Sequence, residues 1–331
     1  MHPLPTHALP RRLDDPFHPV LPARASGMLA RDGGHSIHWE DAGDPGLMPV
    51  ILCHGGPGGA NAPARRRFYD PTKFRVVQFD QRGCGQSTPT GLLAGNSLQA
   101  TIADMEAIRE MLGIERWIVA GGSWGSVVAI AYAEAHPERC LGVNLTCTWL
   151  VRPQDVHWWF QGVRTMFPEL WEAFAALVPP EERGDLRRAY ASRILESNDQ
   201  AEADRFAHQL HVYENGFMAF DSPTAEAEPA RGARYGRIFA HYAIHNFFVE
   251  GTQLLDEAPR IAHLPVEMVV GRYDCCCTPD NSYDLAARLP RANLVVVPGG
   301  GHSSMEPAMA QEVARAPGRL YDRILAAGGW K

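Results

Sequence analysis

Residues 117–136 constrain the architecture more than any other stretch. An apolar, β-rich run, Trp117-Ile118-Val119-Ala120, leads into Gly121-Gly122-Ser123-Trp124-Gly125, and a helix-forming run, Val127 to Glu134, follows and stops at Pro137. Strand, glycine-flanked serine and helix in immediate succession are what a nucleophile elbow requires. The serine then sits on a turn too sharp for side chains two residues to either side, which accounts for Gly121 and Gly125. The turn lifts the hydroxyl clear of a sheet, and the N-terminus of the following helix favours negative charge beside it. Ser123 is therefore the candidate nucleophile. The bland alternative is a glycine-rich strand-to-helix turn with no chemistry, and what decides is whether partners for the serine exist elsewhere.

Apolar runs and turn signals alternate as βαβ units. A hairpin is predicted over Ser26–Arg31 and His35–Asp41 around Asp32-Gly33-Gly34. Strands follow at Pro49–Cys53, Phe74–Phe79, Trp117–Ala120 and Leu141–Leu145, with two more at Pro265–Val270 and Asn293–Val297. Helices are predicted over Leu98–Leu112, entered from Asn96-Ser97, and Ser126–His136. Between about 150 and 255 the strand pattern stops and aromatic residues repeat with helical spacing, from Trp158-Trp159-Phe160 through Phe167, Trp171 and Phe174 to Tyr213, Phe217, Phe220, Tyr235, Tyr242, Phe247 and Phe248. Most of these are expected in helix–helix packing and a few at a pocket mouth. The reading is a mostly parallel sheet domain, residues 1–149 and 256–331, interrupted by an all-helical cap, 150–255.

A serine hydroxyl needs a base, and the base an orienting carboxylate. On an elbow of this kind they follow in the order acid, then histidine. The strand at 265–270 runs into Gly271-Arg272-Tyr273-Asp274, and the next runs into Gly299-Gly300-Gly301-His302. Among 14 histidines, His302 stands out because strand end, glycine run and chain order agree. The triad is read as Ser123, Asp274 and His302. Asp280 is the rival carboxylate, expected instead to cap a helix over Asn281–Leu289. An oxyanion requires two preorganised amides. One is that of Trp124, directly after the nucleophile. The other is assigned to Gly56 in His54-Gly55-Gly56-Pro57-Gly58-Gly59, where small residues such as Gly55 let backbone approach the substrate. This loop is no phosphate cradle, because no Lys-Ser/Thr follows it.

Composition excludes other classes. A net charge of −7 offers no basic stripe for nucleic acid, and Arg65-Arg66-Arg67 and Arg187-Arg188 read as solvated faces. No apolar run reaches the roughly 18 residues that span a bilayer. The Pro-rich first 25 residues lack a secretory pattern and are expected to lie extended on the surface. Seven cysteines without paired spacing fit reduced thiols and a cytoplasmic location. Cys275-Cys276-Cys277 is set aside as a metal site, since adjacent residues rarely converge on one ion and no second donor pair is evident. No cofactor is expected, and the partner is a small molecule or short peptide.

Taken together, His54–Gly59, Asp80-Gln81-Arg82-Gly83-Cys84-Gly85, Gly121–Ser126, Ala135-His136-Pro137-Glu138-Arg139, Gly271–Asp274 and Gly301-His302-Ser303 resemble the proline iminopeptidases of the α/β-hydrolase superfamily, collinearly from about residue 12 to 320. The resemblance implies an α/β-hydrolase fold, removal of N-terminal proline from peptides, and cap carboxylates that hold the substrate amine. Tyr213-Glu214 matches the family's aromatic-Glu step, which makes Glu214 a candidate amine ligand beside Tyr213. The second carboxylate falls at Phe239, two residues before His241-Tyr242, and is missing; Glu250 and Glu228, on neighbouring turns, are the candidate substitutes. An arginine the family carries near the pocket falls at Thr146, and Gln86 stands where another is usual. Phe239 would offer apolar area in place of charge, which leaves open an amide or ester hydrolase without amine recognition. A non-catalytic binding protein is disfavoured, since it has no need of an intact triad and two glycine loops.

Overall fold

The computed structural model describes residues 16–218 and 229–330. Its strands are β1 (Ala23–Ala30), β2 (Ser36–Ala42), β3 (Met48–Cys53), β4 (Phe74–Phe79), β5 (Trp117–Ser123), β6 (Cys140–Thr148), β7 (Val266–Gly271) and β8 (Ala292–Val297). They form one sheet in the order β1-β2-β4-β3-β5-β6-β7-β8. β2 pairs antiparallel with β1 and β4, and every other pairing is parallel. All residues of β3, β4 and β7 are buried, as strands covered on both faces must be. The chain is thus an α/β-hydrolase.

Helices α1 (Leu98–Met111) and α2 (Trp124–Ala135) precede β6. Ser97 caps α1, its hydroxyl accepting from the Ala100 amide at 3.1 Å. Between β6 and β7 the chain is helical: α3 (Pro153–Phe160), α4 (Pro168–Ala175), α5 (Leu186–Leu195), α6 (Gln200–Met218), α7 (Pro229–Ile244) and the short α8 (Gln253–Asp256). Helices α9 (Pro279–Arg288) and α10 (Pro307–Ala326) follow β7 and β8. The expected hairpin and strands all form, β5 and β6 each running three residues further than their apolar patterns.

The cap helices hold together through aromatic rings. Tyr213 stacks on Phe174 at 4.1 Å between centroids, and Phe239 stacks on Trp159 at 4.8 Å. α6 and α7 cross closely because Gly236 has no side chain: a Cβ there would lie 2.3 Å from the Ala207 carbonyl. The cap is tied to the sheet domain from α7, where the Tyr242 hydroxyl donates to Asn96 Oδ1 at 2.8 Å. Arg152, at the cap's entry, donates to Asp155, Asp280 and Asp284 and so joins α3 to α9.

Three expectations need correction. Asp280 is not a cap: Thr278 occupies that position before Pro279, and the Asp280 carboxylate accepts from Arg152 at 2.7 Å. Arg65-Arg66-Arg67 is not a solvated face, because Arg66 is buried and donates to Gln78 Oε1 at 2.5 Å and the Leu21 carbonyl at 3.0 Å. Of the Pro-rich start, residues 1–15 lie outside the described residues, and from Ala23 the chain is already strand.

Candidate active site

Each residue of the expected triad stands where a parallel strand ends, the usual location of ligand sites in such sheets. Ser123 closes β5 with φ 56° and ψ −132°, a conformation non-glycine residues rarely adopt and one characteristic of functional turns. The flanking glycines are dictated by contact. A Cβ on Gly121 would lie 2.0 Å from the Gly125 carbonyl oxygen, and one on Gly125 would lie 2.3 Å from that of Cys53. The Ser126 hydroxyl donates to the Ser123 carbonyl at 2.6 Å and accepts from the Trp149 amide, which ties the elbow to the end of β6.

Asp274 and His302 are brought together by backbone. The Tyr273 amide donates to the Gly300 carbonyl at 2.9 Å, and a Cβ on Gly271 would lie 2.2 Å from the Gly301 carbonyl oxygen. The two loops therefore nest only because both are glycine-rich. Asp274 Oδ1 and Oδ2 each lie 3.0 Å from His302 Nδ1. The amides of Cys276 and Cys277 donate to Oδ1 at 3.0 and 2.8 Å, fixing the carboxylate. Burial works against a charged His302, but the facing Asp274 carboxylate together with the Cys276 and Cys147 sulfurs raises the imidazole well above its ordinary value. An imidazole so placed holds strongly the proton it takes from a nucleophile.

On the oxyanion side, α2 begins at Trp124, whose amide is among the helix-entry N–H groups that have no acceptor within the helix. Its indole is buried and donates to Gln81 Oε1 at 2.8 Å. Gln81 Nε2 in turn donates to the His54 carbonyl at 2.9 Å, so one amide side chain braces the elbow against the His54–Gly59 loop. The Gln81 backbone donates to His54 Nε2 at 3.0 Å, which leaves His54 Nδ1 as the protonated nitrogen, donating to Gly55 O at 2.9 Å. Burial lowers the His54 pKa and keeps the ring neutral. Gly55 is the loop residue that faces the nucleophile: a Cβ there would lie 3.7 Å from Ser123 Cβ. A Cβ on Gly56 would instead strike its own loop, 2.6 Å from the Gly58 amide nitrogen.

Ser123, His302, Gly55, Gly56 and Glu214 all line one cavity of about 540 Å³, a volume suited to a small ligand. Glu214 is 4% exposed, and burial raises its carboxyl to about 7 although Tyr235, a neighbour unforeseen from sequence, donates its phenol to Oε2 and opposes the shift. Tyr235 is the one residue of the aromatic series above found in the cavity wall, and Phe220 lies outside the described residues. Tyr213 and Phe239 lie in the cap's aromatic packing and not in that wall; the Tyr213 hydroxyl donates to the Trp159 carbonyl, and Phe239 stacks behind Tyr235. Glu250 belongs to a separate cleft beside Gln99 and Asp256, and Glu228 lies outside the described residues. Among the described lining residues Glu214 is the sole carboxylate. Thr146 also lines the cavity, and the guanidiniums in its wall belong to Arg65 and Arg234.

The cysteines were set aside as a metal site for want of converging donors. The fold supplies one: Cys276 and Cys277 sulfurs and a His302 ring nitrogen lie within 4.8 Å of one another. Cys277 Sγ is 4.0 Å from Ser123 Oγ. With Nδ1 facing Asp274, Nε2 is the ring nitrogen left to face a nucleophile.

A model of the alpha/beta hydrolase fold matches residues 48–308. A probable proline iminopeptidase of Leptolyngbya boryana is 39% identical over 312 residues, covering 92% of this chain and 96% of the relative. The proline iminopeptidase of Xylella fastidiosa is 40% identical, covering 85% and 91%. The chain belongs to the proline iminopeptidase family. Among solved structures, a proline iminopeptidase of Mycobacterium smegmatis superposes with a TM-score of 0.59 at 22% identity, covering 92% of this chain and all of the other. An esterase from Thermogutta terrifontis superposes at 0.62 and 21% identity, covering 91% and 99%. At such identities these two speak to the fold alone. Among the described residues no helix is long and apolar enough to cross a membrane.

Proposed function

We propose that this chain is a proline iminopeptidase, a serine hydrolase that releases N-terminal proline from short peptides. The observation that carries the reading is Glu214, a buried carboxylate in the wall of the cavity that holds Ser123 and His302. A carboxylate facing a cavity without a cationic partner is a receptor for a cation, and the secondary ammonium of an N-terminal proline is one. Ser123 Oγ attacks the scissile carbonyl as His302 takes its proton, with Asp274 holding the imidazole's orientation. The Trp124 amide and an amide of the Gly55-Gly56 pair receive the oxyanion; Gly56 is the assignment from sequence, and Gly55 makes the nearer approach to Ser123. His302 then protonates the leaving amine, and water enters by the same relay to release proline. All seven cysteines are free and buried, so the reading places the enzyme in a reducing, cytoplasmic setting.

A second reading, an ester or amide hydrolase indifferent to a free amine, draws on the solitary state of Glu214 and its pKa of about 7, which leave the carboxyl partly neutral at that pH. The two separate on a prolyl anilide, its N-acetyl form and a short-chain ester. The aminopeptidase cleaves the free amine at least tenfold better than the acetylated anilide; equal rates on both establish the second reading.

A further inference from the structure

Arg65, Arg66 and Arg67 lie on a single 3-10 segment, Pro63–Phe68. At three residues per turn, consecutive side chains point about 120° apart, so the three guanidiniums face three environments. Arg66 turns inward to Gln78, Glu40 and the Leu21 carbonyl. Arg67 turns toward the chain's start, donating to the His18 carbonyl at 3.0 Å with its guanidinium 4.9 Å from the Phe17 ring centroid. Arg65 turns into the wall of the active-site cavity, half-buried. Among the described residues no carboxylate or carbonyl accepts from it. Its charged surroundings are correspondingly thin: burial lowers its basicity, with only the Tyr69 phenol and the Cys147 thiol opposing.

An unpaired guanidinium partly withdrawn from water is unfavourable unless something else pairs it. The planar fork matches a carboxylate bidentately, better than it matches any neutral group. The described cavity wall also carries two guanidiniums, of Arg65 and Arg234, against the single carboxyl of Glu214. Cys147, Arg65's neighbour, donates to the His302 carbonyl at 3.2 Å, so the guanidinium lies on the triad's side of the cavity. Glu214 reaches the same cavity from α6 in the cap.

We propose that Arg65 is a carboxylate-binding subsite, and that the substrates taken best are short peptides held at both ends, the amine by Glu214 and a carboxylate by Arg65. The identity of the amine end rests on the aminopeptidase reading above; the carboxylate end does not. A cavity of about 540 Å³ suits a small ligand such as a short peptide.

The test compares kcat/KM for prolyl-glycine, prolyl-glycinamide and prolyl-aspartamide, whose one carboxylate is in the side chain. The parent enzyme favours prolyl-glycine over its amide by about tenfold or more, as a desolvated charge pair allows. In Arg65→Met that ratio falls to within about twofold of one, mainly through KM, while Arg65→Lys keeps part of it. Recovery of the rate with prolyl-aspartamide assigns the subsite to a side-chain carboxylate; no recovery assigns it to the chain terminus. A parent ratio near one, or a ratio that survives in Arg65→Met, overturns the proposal. Should no prolyl substrate be cleaved, the aminopeptidase reading fails. The subsite is then judged on a nitrophenyl ester with a distal carboxylate against its uncharged analogue, with the same ratios expected and the same results overturning it.

Discussion

The two halves of the active site are held by different means. On the sheet side, backbone does the holding. Two amides grip Asp274, a carbonyl-to-amide bond links its loop to that of His302, and glycines at 121, 125 and 271 let main chains meet at distances a side chain would forbid. On the cap side, a single buried carboxyl, Glu214, is held by a single phenol, Tyr235, on two helices that meet at Gly236. Backbone geometry tolerates little variation, which suits chemistry that must be the same for every substrate. A side-chain pair is altered by one substitution, which suits selection among substrates. The comparison predicts that changes on the sheet side reduce turnover of every substrate, and that changes on the cap side alter the ranking of substrates.

The largest effect is expected from Ser123→Ala, which removes the nucleophile: kcat/KM for prolyl anilide and short-chain ester alike falls by about 10⁴-fold or more. Equal retention of ester hydrolysis would assign the chemistry to another group. Asp274→Asn follows, with a loss of about 10³- to 10⁴-fold. With its carbonyl oxygen kept on the Cys276 and Cys277 amides, the new amide presents N–H to Nδ1, which must then accept, and the proton moves to the nitrogen that should take one from Ser123. Steady-state rates on the two substrates measure both variants, and both substrates should lose alike.

Tyr235→Phe is the smaller, cap-side test. The phenol stabilises the charged form of Glu214, whose carboxyl burial has already raised to about 7. A raised carboxyl is charged only above its pKa, so amine recognition develops as pH climbs through about 7 and is lost on the acid side. Removing the hydroxyl moves that transition further up. KM for a free-amine substrate at pH 7 rises about three- to tenfold, recovers toward pH 8.5, and the N-acetyl substrate shows no such pH-dependent recovery. A KM–pH profile of the two substrates reads this directly.

What was legible in the sequence follows the same division. The strand-end placement of Ser123, Asp274 and His302, the hairpin and the eight strands could be read because sharp turns and close contacts demand particular residues in a particular order. The cap's chemistry could not, since one aromatic among many gives no sign that it will donate to a carboxylate; Tyr235 looked like Tyr213, yet one lines the cavity and the other packs between helices. Arg65 was obscured by its neighbours, a basic run that reads as surface until the three-residue turn separates its members. The Asp280 assignment went to the wrong residue although the signal was present, because Pro279 at the first helical position makes Thr278 the cap. Helix α10 escaped notice because Pro317 and Gly318 interrupt its pattern; both sit within it.

The central claim is that the sheet supplies the reaction and the cap selects the free amine through Glu214. The most direct measurement is the ratio of kcat/KM for prolyl anilide to that for N-acetylprolyl anilide, in the parent and in Glu214→Gln, at pH 8 where the parent carboxyl is charged. The account predicts a parent ratio above about ten that drops at least tenfold in the variant, as loss of one partner of a desolvated charge pair requires. A ratio unchanged by the substitution would contradict it.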